Sequence, residues 1–155
     1  MTNKTAIGGV IITELKQWDD ERGWLTEIYR SDECSLKPVM SYISHTKNGV
    51  ARGPHEHISQ SDMFVFVGYG DFELYLWDNR KDSPTYKNKA KIIVGESNKV
   101  SVIVPPGVVH GYKAISPEGS LSINLPDTLY KGENKSEEVD ELRHEDVEDS
   151  EFKIS

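Results

Sequence analysis

The chain has 155 residues, of which 36% are hydrophobic and 28% charged, with a formal net charge of −8; this suffices for one domain with a real core and is short for two. Ten acidic and four basic residues fall between Lys131 and the end, so the tail holds most of the charge, and no basic face for nucleic acid is present. No run approaches the roughly 20 apolar residues of a membrane helix, and AIGGVII, at 6–12, is too short and lacks the basic lead of a secretory leader. The single cysteine, Cys34, excludes an internal disulfide and points to a reducing compartment, the cytoplasm.

In chain order, apolar stretches at 9–15, 24–29, 39–44, 63–67, 72–77, 91–94, 100–104, 112–115 and 121–125 read as strands, rich in Val, Ile, Phe, Tyr and Trp. Phe72, Leu74 and Leu76 alternate with Glu73, Tyr75 and Trp77, the period of a half-buried strand. Turn formers separate the stretches: Gly68-Tyr69-Gly70-Asp71, Asp82-Ser83-Pro84, Gly95-Glu96-Ser97-Asn98 and Pro105-Pro106-Gly107. With no amphipathic helix before Lys131, the pattern predicts an all-β antiparallel barrel, a jelly roll, over 1–130. The acidic extension 131–155 reads as a solvated helix or disordered tail over 133–149, which Val139, Leu142 and Phe152 can pin onto the barrel or a neighbouring chain.

In Arg52-Gly53-Pro54-His55-Glu56-His57, an extended backbone sends both imidazoles out of one face, with Glu56 turned away. Pro105-Pro106-Gly107 turns the chain into a strand that carries His110, and in a barrel the two stretches face one another inside the mouth. His55, His57 and His110 then converge, and Asp62 or Gln60 adds an oxygen. Two chemistries are open. The set suits a divalent transition metal, with His55, His57, Asp62 and His110 as ligands. Alternatively a histidine acts as general base and no metal or other cofactor is needed, which is the expectation here. Trp18, Trp24 and Trp77 read as core or interface aromatics, with Trp24 able to stack on a base or sugar. Ser83-Pro84-Thr85 reads as a turn.

Four collinear motifs carry a resemblance: Asp20-Glu21-Arg22-Gly23-Trp24 with Glu27; Gly49-Val50-Ala51-Arg52-Gly53-Pro54-His55; Asp78-Asn79-Arg80-Lys81-Asp82-Ser83-Pro84-Thr85; and Pro106-Gly107-Val108-Val109-His110-Gly111-Tyr112. Together they resemble the dTDP-4-dehydrorhamnose 3,5-epimerases, small dimeric cupins of deoxysugar and polysaccharide biosynthesis. The resemblance spans roughly 8–130 and implies a cupin barrel, a homodimer, and a substrate of the dTDP-4-keto-6-deoxysugar class. It implies His55 as catalytic base and His110 as a second active-site histidine. Arg52 is then the grip on the diphosphate, with Arg22 and Glu27 reaching the nucleotide from a partner subunit, and Trp24 and Tyr112 join the substrate-binding set. The family's enolate-steadying lysine falls at Met63, its proton-returning tyrosine near Ile123 beside Asn124, and its thymine-contacting pair near Met40 and Tyr42. Its late aspartate, paired with the catalytic histidine, has poor substitutes in Asp146 and Asp149. His57 is a gain: Arg-Gly-x-His-x-His is similar to the dTDP-sugar 3,4-ketoisomerases, whose paired histidines shuttle protons. A metal-dependent isomerase or oxygenase, and a catalytically weakened sugar-nucleotide-binding homologue, are the alternative readings.

Overall fold

Alternating side chains decide which face of each strand is buried, and the computed structural model, which describes residues 2–155, sorts them into two facing sheets. The strands are β1 (Thr2–Lys4), β2 (Ile11–Glu14), β3 (Gln17–Asp20), β4 (Gly23–Thr26), β5 (Tyr42–Thr46), β6 (Ala51–Glu56), β7 (Asp62–Phe66), β8 (Asp71–Asp78), β9 (Lys89–Gly95), β10 (Val100–Val104), β11 (Val108–Ala114), β12 (Ser120–Asn124) and β13 (Leu142–Arg143). Six form one sheet in the order β1-β2-β10-β7-β12-β5, and five form the other in the order β13-β6-β11-β8-β9. β3 and β4 make a separate hairpin. This is the jelly roll expected from the sequence.

The space between the sheets is filled from both sides. Phe72, Leu74 and Leu76 of β8 are fully buried there with Phe64 and Phe66 of β7, Val102 of β10 and Val108 of β11. Each such side chain contributes roughly 1.5–3 kcal/mol of burial. The pleat turns Met63 and Val65 to the opposite face of the six-stranded sheet, where Leu36 and Leu125 cover them. Ile28 and Tyr29 pack against that outer cluster, so the expected 24–29 strand stops at Thr26.

Two strands lie where apolar periodicity gave no signal. Gln17–Asp20 is a polar, exposed hairpin arm. Ala51–Glu56 carries glycine and proline, yet β11 pairs with it on one side and β13 on the other. Gly53 permits the first pairing: a Cβ there would stand 2.7 Å from the His110 carbonyl oxygen. β11 begins at Val108 rather than 112, because it pairs with β8 along its whole length.

The acidic extension forms no α-helix among the described residues. After a 3₁₀ turn at Glu133–Lys135 it pairs through β13 with β6, Leu142 opposite Glu56 and Arg143 opposite His55. His144 Nε2 lies 2.8 Å from Glu56 Oε1, and Asn79 Nδ2 donates to the same oxygen at 2.7 Å. Phe152 meets the Trp77 ring edge-on, with centroids 5.8 Å apart.

The Asp78–Thr85 motif is a structural knot. Asp78, 1% exposed, accepts from Arg80 Nε and Nη2 at 2.8 Å, Ser83 Oγ at 2.7 Å and Thr85 Oγ1 at 2.6 Å. Burial opposes its charge, and these donors outweigh burial and hold the carboxyl well below its ordinary range. Arg80 Nη2 also donates to the Gly8 carbonyl at 2.6 Å, which ties the N-terminal segment to this turn.

Candidate active site

The three histidines do converge, but from one sheet rather than from opposite walls. His110 on β11 is the direct cross-strand partner of His55 on β6, because these strands are neighbours. The His55 ring lies edge-on to His110 at 4.5 Å and to His57 at 5.6 Å. The facing sheet supplies Asp62 at the start of β7. Its Oδ2 stands 2.9 Å from His57 Nε2 and 3.5 Å from His110 Nε2. Asn124 Nδ2 and Gln60 Nε2 donate to its Oδ1 at 2.9 and 3.1 Å. At the position where the resemblance put Met63 in place of a lysine, the pleat turns Met63 outward and presents Asp62 instead.

The charge states differ from ring to ring. His57 Nδ1 donates to the Asp140 carbonyl, while its Nε2 stands 2.9 Å from Asp62 Oδ2 and 3.3 Å from Gln60 Nε2, and the carboxylate favours the imidazolium. Burial works against that cation, yet Asp62 and the Asp140 carbonyl outweigh it and raise the pKa. Burial likewise opposes the charge of Asp62, and the two histidines hold its carboxyl well below the usual range. His55 goes the other way. Burial and the neighbouring His110 and His57 push it down to about 2, so it rests as a neutral imidazole. Its Nδ1 lies 3.5 Å from Glu141 Oε1, a contact that favours hydrogen on Nδ1 and the lone pair on Nε2.

Sequence reasoning did not single out Glu141 or Asp140. The Asp140 carboxylate accepts the backbone N–H groups of Ile58, Ser59 and Gln60 at 3.0, 2.9 and 2.8 Å, which latches the C-terminal segment over the loop after His57 and delivers Glu141 to His55. Nothing among the ten acidic residues of the extension marks these two; a long-range pairing selects them. Asp146 and Asp149 make no contact with His55 among the described interactions.

Two cavities open from His55. One, of about 200 Å³, is lined by His55, His57, Gln60, Asp62, Asn124 and Tyr42, among others. The other, of about 380 Å³, is lined by His55, Arg52, Tyr42, Tyr112, Arg143 and Glu145, among others. Arg52 Nε donates to Thr46 Oγ1 at 2.9 Å and Nη2 to the His45 carbonyl at 3.0 Å, which fixes the plane of the guanidinium at the second cavity. Tyr112 is 4% exposed, enclosed by Phe64, Phe66 and Phe72, and burial pushes its phenol up to about 12.

Within one chain Arg22, Trp24 and Glu27 stay away from this site. Arg22 pairs with Asp20 in the exposed hairpin, Trp24 is half exposed, and Glu27 lies 3.4 Å from Arg30 beside a separate cavity on the outer face of the six-stranded sheet. The residues named as metal ligands do gather, with one donor atom from each histidine within 4.8 Å of the others. Polar contacts also join the set to its neighbours, with His57 Nε2 2.9 Å from Asp62 Oδ2 and His110 Nδ1 2.9 Å from the Val108 carbonyl.

The family profile described as dTDP-4-dehydrorhamnose 3,5-epimerase matches residues 4–147. The chain belongs to that family. It is 40% identical over 135 residues to the Haloferax volcanii protein called "Probable low-salt glycan biosynthesis epimerase Agl13", covering 85% of this chain and 86% of that one. Among solved structures, the dTDP sugar isomerase from Desulfovibrio desulfuricans G20 superposes with a TM-score of 0.83 at 22% identity, covering 96% of this chain and 92% of the other, which shows the shared fold. The dTDP-4-dehydrorhamnose 3,5-epimerase from Bacillus anthracis, solved with TDP and PPi bound, superposes with a TM-score of 0.74 at 25% identity, covering 84% of this chain and 78% of that one. The family is an isomerase family of glycan and polysaccharide biosynthesis, and its match extends past residue 130 to include the segment that carries Asp140 and Glu141. No helix among the described residues is long and apolar enough to cross a membrane.

Proposed function

We propose that this protein epimerises a dTDP-4-keto-6-deoxysugar, with His55 removing the proton next to the ketone. The observation that carries the reading is the placement of His55, edge-on to two other histidines with Glu141 Oε1 3.5 Å from its Nδ1, where burial and those neighbours favour the neutral imidazole. A base must be unprotonated before it acts, and a carboxylate behind it stabilises the cation that forms as the proton arrives. Arg52, fixed at the mouth of the second cavity, is placed to hold the diphosphate through a planar guanidinium. His57 and His110 surround the base and, with burial, hold its pKa down.

The working unit in this reading is a homodimer in the cytoplasm. Arg22, Trp24 and Glu27 are remote from the His55 cavities of their own chain and would serve a partner's site. The test is a panel of nucleotide-linked 4-keto-6-deoxysugars incubated with the protein in heavy water and read by NMR. Deuterium at a carbon next to the ketone, with dTDP sugars preferred, is the expected result. Folded protein that exchanges no proton on any dTDP sugar of the panel contradicts the reading.

A further inference from the structure

Epimerisation needs two groups on opposite faces of one carbon, one to take a proton and one to return it. His55 stands on the five-stranded sheet. Across the cavity, β5 and β12 lie side by side in the six-stranded sheet, with Tyr42 and Asn124 as direct cross-strand partners. Cross-strand partners share a face of their sheet, and both side chains line the cavity that contains His55.

The hydrogen bonding there leaves a proton to spare. Asn124 Nδ2 donates to the Tyr42 hydroxyl oxygen at 2.8 Å and to Asp62 Oδ1 at 2.9 Å. An amide NH₂ only donates, so the phenol oxygen is the acceptor and keeps its own hydrogen. Among the described residues that hydroxyl has no other hydrogen-bond partner. Tyr42 borders both His55 cavities, whereas Tyr130 borders only the first. Tyr112 borders only the second and is 4% exposed, against 45% for Tyr42. Burial of the Tyr42 hydroxyl raises its pKa, so the proton is in place at neutral pH.

We propose that Tyr42 is the acid that returns the proton, on the face of the sugar opposite His55. This rests on the reading of His55 as base. The C–H bond next to the ketone breaks, its electron pair enters the enolate and the proton passes to His55. The Tyr42 O–H bond then breaks, a C–H bond forms on the opposite face and the ketone is restored. The phenolate, held by the Asn124 N–H, and the protonated His55 return to their starting states by exchange with solvent through the open side of the cavity. Asn124 is thus a positioning residue, holding the phenol and Asp62 from a single amide.

The test separates exchange from inversion. Tyr42→Phe keeps the ring and removes the proton. With a sugar nucleotide that the wild type epimerises in heavy water, this variant should lose inversion by about 10²–10⁴-fold. It should still exchange the same proton for deuterium with retention, since His55 remains able to take and return it. Affinity for dTDP, measured by calorimetry, should stay within a few-fold and report that the fold is intact. Inversion at the wild-type rate overturns the proposal, as does equal loss of exchange and inversion in a variant that still binds dTDP. If the phenylalanine variant does not fold, 3-fluorotyrosine at position 42 decides the matter. Its more acidic phenol should move the alkaline limb of inversion to lower pH, and an unmoved limb overturns the proposal. A wild type that exchanges without ever inverting would also overturn it, while leaving His55 as base. A wild type that does neither removes the parent reading and this one with it.

Discussion

Asp62 and Asp78 are both 1% exposed, and both are held ionised against burial, yet they sit in surroundings of different kinds. Around Asp78, both oxygens are occupied by an arginine fork and two hydroxyls, all from the same turn. Around Asp62, Oδ1 takes two amides, while Oδ2 lies among two imidazoles and makes no in-line hydrogen bond; His110 Nε2 is buried in the same state. A fully satisfied buried carboxylate with a permanent cation holds a loop. A carboxylate left partly open among titratable rings holds proton positions. The first is legible as stability, the second as chemistry, though burial and pKa direction are alike.

Substitutions should therefore divide along this line. The largest expected effect is at the ring Asp62 serves indirectly: His55→Asn should lower kcat by about 10²–10⁴-fold with little change in KM, measured by initial rates on the preferred dTDP sugar. Near-normal turnover in that variant would move the base to His57. Next comes the carboxylate pair itself. Asp78→Asn should cost roughly 3–5 kcal/mol, because Arg80 and two hydroxyls lose their shared acceptor. In a chain of this size that lowers Tm by about 10 °C, with kcat per folded molecule retained. Asp62→Asn, which keeps the shape, should show the reverse, a smaller fall in Tm and a large loss of turnover. Equal thermal loss in both would erase the distinction.

The smallest effect is a slope. The folded His55 takes up a proton only near pH 2, whereas the unfolded chain does so near 6.5. Below 6.5 the unfolded state therefore binds more protons, and stability falls as the pH is lowered, by up to about 1.4 kcal/mol per unit. His57 is raised, so its contribution is fully present below 6.5 and adds no slope there. The lowered carboxyls of Asp62, Asp78 and Asp140 add their loss only below about 4. Between about pH 4 and 6.5, urea unfolding of the wild type should show this decline, and His55→Asn should flatten it.

The barrel was readable because Phe72, Leu74 and Leu76 announce a two-residue period in their own strand. The histidine set was readable because His55 and His57 share a face at spacing two. What stayed hidden depends on pairing at long range. β6 shows no apolar period, so its extended reading rests on the spacing of two histidines alone, and its place between β11 and β13 comes from long-range pairing. Glu141 reaches His55 only because Asp140 catches three backbone amides of 58–60, some eighty residues earlier. Tyr42 was placed near the base-contacting positions, and its bond to Asn124 arises from the β5–β12 register. Asp78 was part of a motif that reads like a functional signature, and its role emerges from the donors that surround it.

Neighbouring rings of this site differ in the form their surroundings favour, neutral for His55 and charged for His57. Nitrogen-15 NMR of the labelled protein, which separates neutral imidazole from imidazolium ring by ring, tests this difference directly across pH 5 to 8. His55 should stay neutral through the whole range, while His57 should lose its proton only above pH 6.5. A His55 that titrates near 6.5, or a His57 already neutral at pH 6, would contradict it.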